Sequence, residues 1–177
     1  MLLFQVGLWL EGQEGCQKII SGQVDTEIYK MIEYFETCNA TQIFLRLGYE
    51  FDNPGFGYNG DGATYQNAFR YVVDKCRKHL TIGGLSRLKF VWHSWAAPRG
   101  ENIALGDFYP GDEYVDWIGI SVFTQIYSWS KYSNYGGSIQ DLEEVLLFAK
   151  IHDKVSDVHI QNKNIKHLME YACFSLL

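Results

Sequence analysis

The sequence has no clustered Lys/Arg surface, no C-x-x-C pair, no two histidines at i, i+4, and no apolar run of the roughly 20 residues needed to span a bilayer. Each absence removes a class of function. With 15 Lys and Arg against 21 Asp and Glu, the net charge of −6 argues against a nucleic-acid partner, because neutralising phosphates takes a concentrated basic surface. A neutral polysaccharide is indifferent to that charge. Cys16, Cys38, Cys76 and Cys173 lack the spacing of a zinc ribbon or a thioredoxin-type pair and read as free, mostly buried thiols, which leaves the compartment open. His79, His93, His152, His159 and His167 form no ligand pair, so no metal or cofactor is expected. The opening Met1 to Leu10 lacks a basic leader, contains Gln5 and meets Glu11 without a small-residue cleavage site; it reads as a core strand rather than a signal peptide, and membrane insertion is not expected.

What is present is an ordinary globular composition, 47% hydrophobic and 20% charged over 177 residues, enough for one domain with its own core. Strand-like segments at Gln5–Leu10, Ile43–Tyr49, Leu88–Ser94 and Tyr114–Phe123 alternate with apolar stripes at helical spacing over 25–38, 64–80 and 138–152. Asp25 and Glu27 favour the first helix's N-terminus, and Ser138 with Asp141 resembles a capping box. Glu11–Gly22 reads as a Gly-rich polar loop and Thr81–Ser86 as a turn. After Val155 the pattern degrades to a short strand over 155–160, a turn over 161–164 and a final helix over 165–174. Such alternation predicts an α/β chain with a parallel sheet and crossover helices, with functional residues at the strands' C-terminal ends. Doubly wound sheets and barrels both satisfy it. No G-x-G-x-x-G follows the first strand, which removes a dinucleotide site.

Glu50 leaves the second strand into a loop crowded with Gly and aromatic residues, a suitable place for a proton donor to a glycosidic oxygen. Phe44 to Phe51 (Phe-Leu-Arg-Leu-Gly-Tyr-Glu-Phe), Tyr65 to Asp74, Phe90 to Ser94 and Tyr109 to Gly119 (Tyr-Pro-Gly-Asp-Glu-Tyr-Val-Asp-Trp-Ile-Gly) together resemble glycoside hydrolase family 26. The resemblance covers roughly residues 3–154. It implies part of a (β/α)8 TIM barrel, with Gln5, Ile43, Leu88 and Val115 opening strands three to six, and cleavage of β-linked polysaccharides such as mannan. The family's general acid/base is a Glu after the fourth strand, which falls on Glu50, and its nucleophile a Glu after the seventh.

A whole barrel takes about 250 residues. The segment Val155–Ile160, where the second catalytic Glu is expected, contains none. Residues 1–154 therefore read as a partial glycoside hydrolase barrel and 155–177 as a divergent tail, the chain being a fragment that is inactive alone. Its open edges would favour self-association. The rival readings are a non-catalytic carbohydrate-binding protein and an unstable gene fragment. Relatives of this kind are often extracellular.

Around Glu50, Arg46 lies four residues earlier, and strict alternation would put both on one side of the strand, as an ion pair or a tuner of the acid. Tyr49 stands where the family commonly has His, and Phe123 where it often has Tyr. Tyr49, Phe51 and Phe56 are candidate apolar walls that would raise the acid's pKa. Tyr58, Trp92, Trp95, Tyr127 and Trp129 could stack on sugar rings. For Trp92 core packing is equally open; for Trp95 and Trp129 sugar contact is favoured. His93 is a weaker substrate-binding candidate, and Asp52, Asn53 and Asp61 fit turn formation better than ligation.

Overall fold

The computed structural model describes residues 2–58, 60–96, 104–122, 139–160 and 169–175. Among these residues six strands form one sheet: β1 Leu3–Trp9, β2 Gln42–Leu47, β3 Leu88–Ser94, β4 Trp117–Val122, β5 Val155–Ile160 and β6 Met169–Ser175. Their spatial order is β5-β4-β3-β2-β1-β6, and all five pairings are parallel. The helices are α1 Gly12–Ile20, α2 Asp25–Thr37, α3 Gly62–His79, α4 Ile82–Arg87 and α5 Ile139–Ile151. This is the α/β architecture that the alternating periodicity predicts.

Three expectations are corrected. The stretch over 11–22 holds helix α1, in which Cys16 and Ile19 reach the core while Gly12 and Gly15 are buried beside them. A Cβ on Gly15 would lie 2.0 Å from the carbonyl oxygen of Leu10, so the glycine that resembles a loop signal is a close-packing position. Thr81–Ser86 is mostly helix α4, started by the Thr81 hydroxyl accepting from the Gly84 amide at 3.1 Å. Over 169–174, where a helix is expected, stands β6, which pairs with β1 from Leu3↔Met169 to Trp9↔Ser175, while 161–168, with the expected turn, lie outside the described residues. Pairing with an open strand edge overrides a helical pattern that had no caps. The short strand over 155–160 is present as β5. The Ser138 cap lies outside the described residues.

Period-two alternation sorts the sheet's faces. Val6, Leu8, Ile43, Leu45, Leu47, Phe90, Trp92, Ile118 and Ile120 are buried with the helices' apolar stripes, including Ile28, Phe35, Phe69, Val72, Val73 and Val145. The other face carries Gln5, Gly7 and Trp9 on β1, Phe44 and Arg46 on β2, His93 on β3, and Trp117, Gly119 and Ser121 on β4, in register from strand to strand. Two glycines make room there. A Cβ on Gly7 would lie 3.2 Å from the Tyr49 ring, and one on Gly119 would lie 2.6 Å from the His93 ring.

Loop anchors hold the helices in place. Asp61 caps α3, accepting from the Ala63 and Thr64 amides at 3.0 and 3.3 Å, the turn-forming role expected of it. Arg87 donates to the carbonyls of Phe35, Glu36, Cys38 and Ala40, tying the end of α2 to the start of β3. At the exit of β2, Gly48 has φ 54° and its amide donates to Leu8 O at 2.8 Å. An added Cβ would lie 2.6 Å from Tyr65 and 2.9 Å from Leu10. Gly48→Ala therefore combines left-handed strain with overpacking, and we expect it to lower unfolding stability by about 2–4 kcal/mol. Urea denaturation would show it as a lower midpoint with an unchanged slope.

Candidate active site

Because the strands are parallel, their C-terminal ends share one rim, and the backbone is strained there. Among the described non-Gly residues with positive φ, Glu11, Glu50 and Ala96 each lie two or three positions beyond the end of β1, β2 and β3. Such conformations cost about 1–3 kcal/mol each and persist only where surrounding contacts impose them. At Glu50, φ is 55°; its amide donates to His93 O at 2.7 Å and its carbonyl accepts from Asn53 N at 2.8 Å. The turn is thus bonded to the end of β3 on one side and, through Gly48, to β1 on the other.

Asp52 holds the same turn from behind. It is buried, accepting from the Ser94 hydroxyl at 2.6 Å and the Trp95 amide at 2.6 Å, while Ser94 Oγ accepts from the Ala96 amide at 2.8 Å. A buried carboxylate needs such donors. Asn53 accepts from Gly55 N at 3.0 Å and offers Nδ2 to Glu50 Oε2 at 3.4 Å. Both residues serve the turn, as their types suggest.

The half-buried Glu50 carboxyl points across to β4, where Ser121 Oγ donates to Oε1 at 2.7 Å. His93 Nε2 lies 3.4 Å from that hydroxyl and 3.5 Å from Arg46 NH1. Burial pushes the Glu50 carboxyl above the usual carboxylate range; bonds from Ser121 and Asn53 and the charge of Arg46 pull it partly back, and Asp52 adds to the rise. The result is a carboxyl that holds its proton better than an exposed one, the property a general acid requires.

The charge of Arg46 lowers the proton affinity of Glu50. Alternation is not what brings the two together, because β2 ends at Leu47 and the left-handed Gly48 and Glu50 redirect the chain. Tyr49 lies beneath the Arg46 guanidinium, 5.3 Å from ring centroid to Cζ, and joins a rim cluster with Trp9 (5.9 Å) and Phe56 (6.0 Å). Trp9 and Phe56 meet edge to face at 4.4 Å. His93 is buried within the site, and the half-buried Trp95 follows it.

Two sugar-binding expectations are corrected. Trp92 is completely buried on the helix-covered face, stacked on Phe51 at 4.4 Å with its indole N–H donating to Phe108 O at 3.1 Å, so of its two open roles it takes packing. Tyr58 is also completely buried, its hydroxyl accepting from the Leu10 amide at 3.0 Å. Phe51 belongs to the same core rather than to a wall of the site. Phe123, Tyr127 and Trp129 lie outside the described residues. Sequence reasoning missed Ser121 and Trp9. Both could have been found by alternation, Ser121 from Gly119 and Trp9 from Gly7.

Among the described residues no group of three His, Cys, Asp or Glu side chains could hold a metal, and no helix is long and apolar enough to cross a membrane.

Because the folded-state pKa of Glu50 lies above that of an unfolded chain, its contribution to stability is complete below the unfolded carboxylate range and is lost as pH rises through the folded pKa. Glu50→Gln removes that loss. We expect the variant to melt higher than the parent above the ordinary carboxylate range and the two to converge in acid, as read from Tm against pH.

A sequence profile of Glycosyl hydrolase family 26 matches residues 43–174. The chain is 27% identical over 150 residues to a β-1,3-xylanase of a Vibrio species, covering 84% of this chain and 29% of that protein. It is 24% identical over 158 residues to endoglucanase H of Acetivibrio thermocellus, covering 85% of this chain and 16% of that protein. The chain thus spans less than a third of the length of these relatives. In structure it resembles a modular endo-β-1,4-mannanase from Cellulomonas fimi, with a TM-score of 0.61 at 17% identity, covering 89% of this chain and 40% of that one. That likeness identifies the parallel sheet and its helices as part of a (β/α)8 barrel. With its profile match running through most of its length, the chain belongs to glycoside hydrolase family 26.

Proposed function

We propose that this chain carries the acid/base half of a site that hydrolyses β-linked polysaccharides, with Glu50 as the proton donor. The single observation that carries this reading is a half-buried carboxyl at a strand's C-terminal rim, with raised proton affinity and one oxygen fixed by Ser121. A retaining glycosidase needs a second carboxyl about 5–5.5 Å away. The strand β5 supports its absence from this chain: it contains no Glu, and its one Asp, Asp157, stands in register with Gly119, two residues short of the level of Ser121. Trp9, Tyr49, Phe56 and Trp95 would supply flat surfaces for sugar rings, and Arg46 and His93 the polar floor.

The relatives' names make β-1,3-xylan, β-mannan and β-glucan the substrates to try. A small carboxylate such as formate can stand in for an absent nucleophile. We expect the purified chain not to cleave β-linked oligosaccharides of these types in buffer and to cleave one slowly in molar formate. Glu50→Gln should cut the formate-supported rate by about 10²–10⁴-fold, the usual worth of general acid catalysis. A formate-supported rate indifferent to Glu50→Gln would contradict the acid/base assignment; turnover without formate would contradict the missing nucleophile.

We further propose that copies of the chain associate. Among the described residues nothing pairs with the outer edges of β5 and β6, and Leu147 and Ile151 on α5 and Val155 at the start of β5 are exposed. Light scattering should give a mass that rises with concentration, and a monomer at all concentrations would refute this.

A further inference from the structure

The two oxygens of Glu50 are not equivalent. Oε1 receives the Ser121 hydroxyl at 2.7 Å, a normal length for an O–H donor, whereas among the described residues Oε2 has the long contact from Asn53 Nδ2 at 3.4 Å. A serine hydroxyl has one hydrogen to give, and Glu50 Oε1 at 2.7 Å and His93 Nε2 at 3.4 Å both lie in reach of Ser121. Arg46 decides between them. A guanidinium offers only N–H groups, so its NH1, 3.5 Å from His93 Nε2, suits a lone pair on that nitrogen.

We infer that Ser121 is a positioning residue for the proton donor: its hydroxyl, turned away from a His93 ring already engaged by Arg46, fixes Oε1 as the acceptor and leaves Oε2 to carry the proton that is transferred. In the protonated acid Oε1 is the carbonyl oxygen and still accepts from Ser121; in the carboxylate the same bond holds and is stronger for the charge. One geometry thus serves both states through which a glycosidase acid/base passes. The fold makes this possible in three places. Gly119 leaves the room that the His93 ring occupies, the Glu50 amide bonds to His93 O, and Ser121 lies two residues along β4 from Gly119 on the same face.

Among the described residues the groups set around the Glu50 carboxyl are Arg46 on β2, Asp52 and Asn53 in the turn, His93 on β3 and Ser121 on β4. Any of the charged ones would shift the titration of Glu50 as a whole. Ser121 gives Glu50 the shorter of its two described side-chain hydrogen bonds, and Ser121→Ala removes it with a single hydroxyl, so substitution there isolates the bond.

This inference rests on the reading of Glu50 as the acid, and its test is separable from that reading. In the full chain with ¹³C-labelled Glu, the carboxyl titration of Glu50 is followed by NMR in the parent, Ser121→Ala and Ser121→Thr. Losing a donor to the charged form should raise the midpoint in Ser121→Ala by about one pH unit, and the hydroxyl of Ser121→Thr should return it towards the parent value. Nitrogen shifts should show His93 protonated on Nδ1. A midpoint unmoved in Ser121→Ala overturns the inference whatever the cleavage assay gives, and so does a folded Ser121→Thr that behaves like the alanine. If Glu50→Gln leaves formate-supported cleavage intact, the acid/base reading fails, while a raised midpoint in Ser121→Ala still supports the bond.

Discussion

The candidate site depends on a clamp on the backbone. The turn from Gly48 to Asn53 is bonded to β1 through Leu8 O and to β3 through His93 O, and Asp52 fastens it to Ser94 and Trp95. Without these bonds a glutamate with φ 55° would relax to an ordinary conformation and its carboxyl would swing into solvent. Because the clamp ties the turn to the strands on both sides of β2, the position of Glu50 is set by the register of the sheet rather than by the loop alone. The glycine at position 48 is where that register and the left-handed turn meet.

Two opposed electrostatic effects act on the carboxyl so placed. Burial favours the protonated form, and Ser121, Asn53 and Arg46 favour the charged one. A strong excess of either would give a useless acid, one that never gives up its proton or never holds one. The balance lies on the side of holding it, and the hydrogen bond from Ser121 tempers it. The buried Asp52 pushes the same way as burial while doing a structural task, so the residue that secures the backbone also helps to set the acid's proton affinity.

Much of this was legible from residue pattern. Alternating periodicities mark β1 to β4 and the helices α2, α3 and α5, though not α1 or α4, and the matched segments single out Glu50 as the candidate proton donor. Glycine misled at Gly12 and Gly15, where it permits close packing of α1 rather than marking a loop, because composition alone does not separate the two uses. At the C-terminal end, β6 is stabilised by an edge of β1 far away in sequence, which no local propensity reports. Trp92 shows the limit of motif reasoning: one strand presents Trp92 to the core and His93 to the site, and only the register tells which aromatic faces which way. The polar contact between Ser121 and Glu50 joins residues 71 positions apart and needed the fold to be seen.

The most direct test of the central claim is a crystal structure of the chain with a β-linked oligosaccharide bound. The account predicts a glycosidic oxygen within hydrogen-bond reach of Glu50 Oε2, about 2.6–3.2 Å, with Oε1 still bonded to Ser121. An oligosaccharide bound with its linkages remote from Glu50, or Glu50 turned out to solvent in the complex, would contradict it.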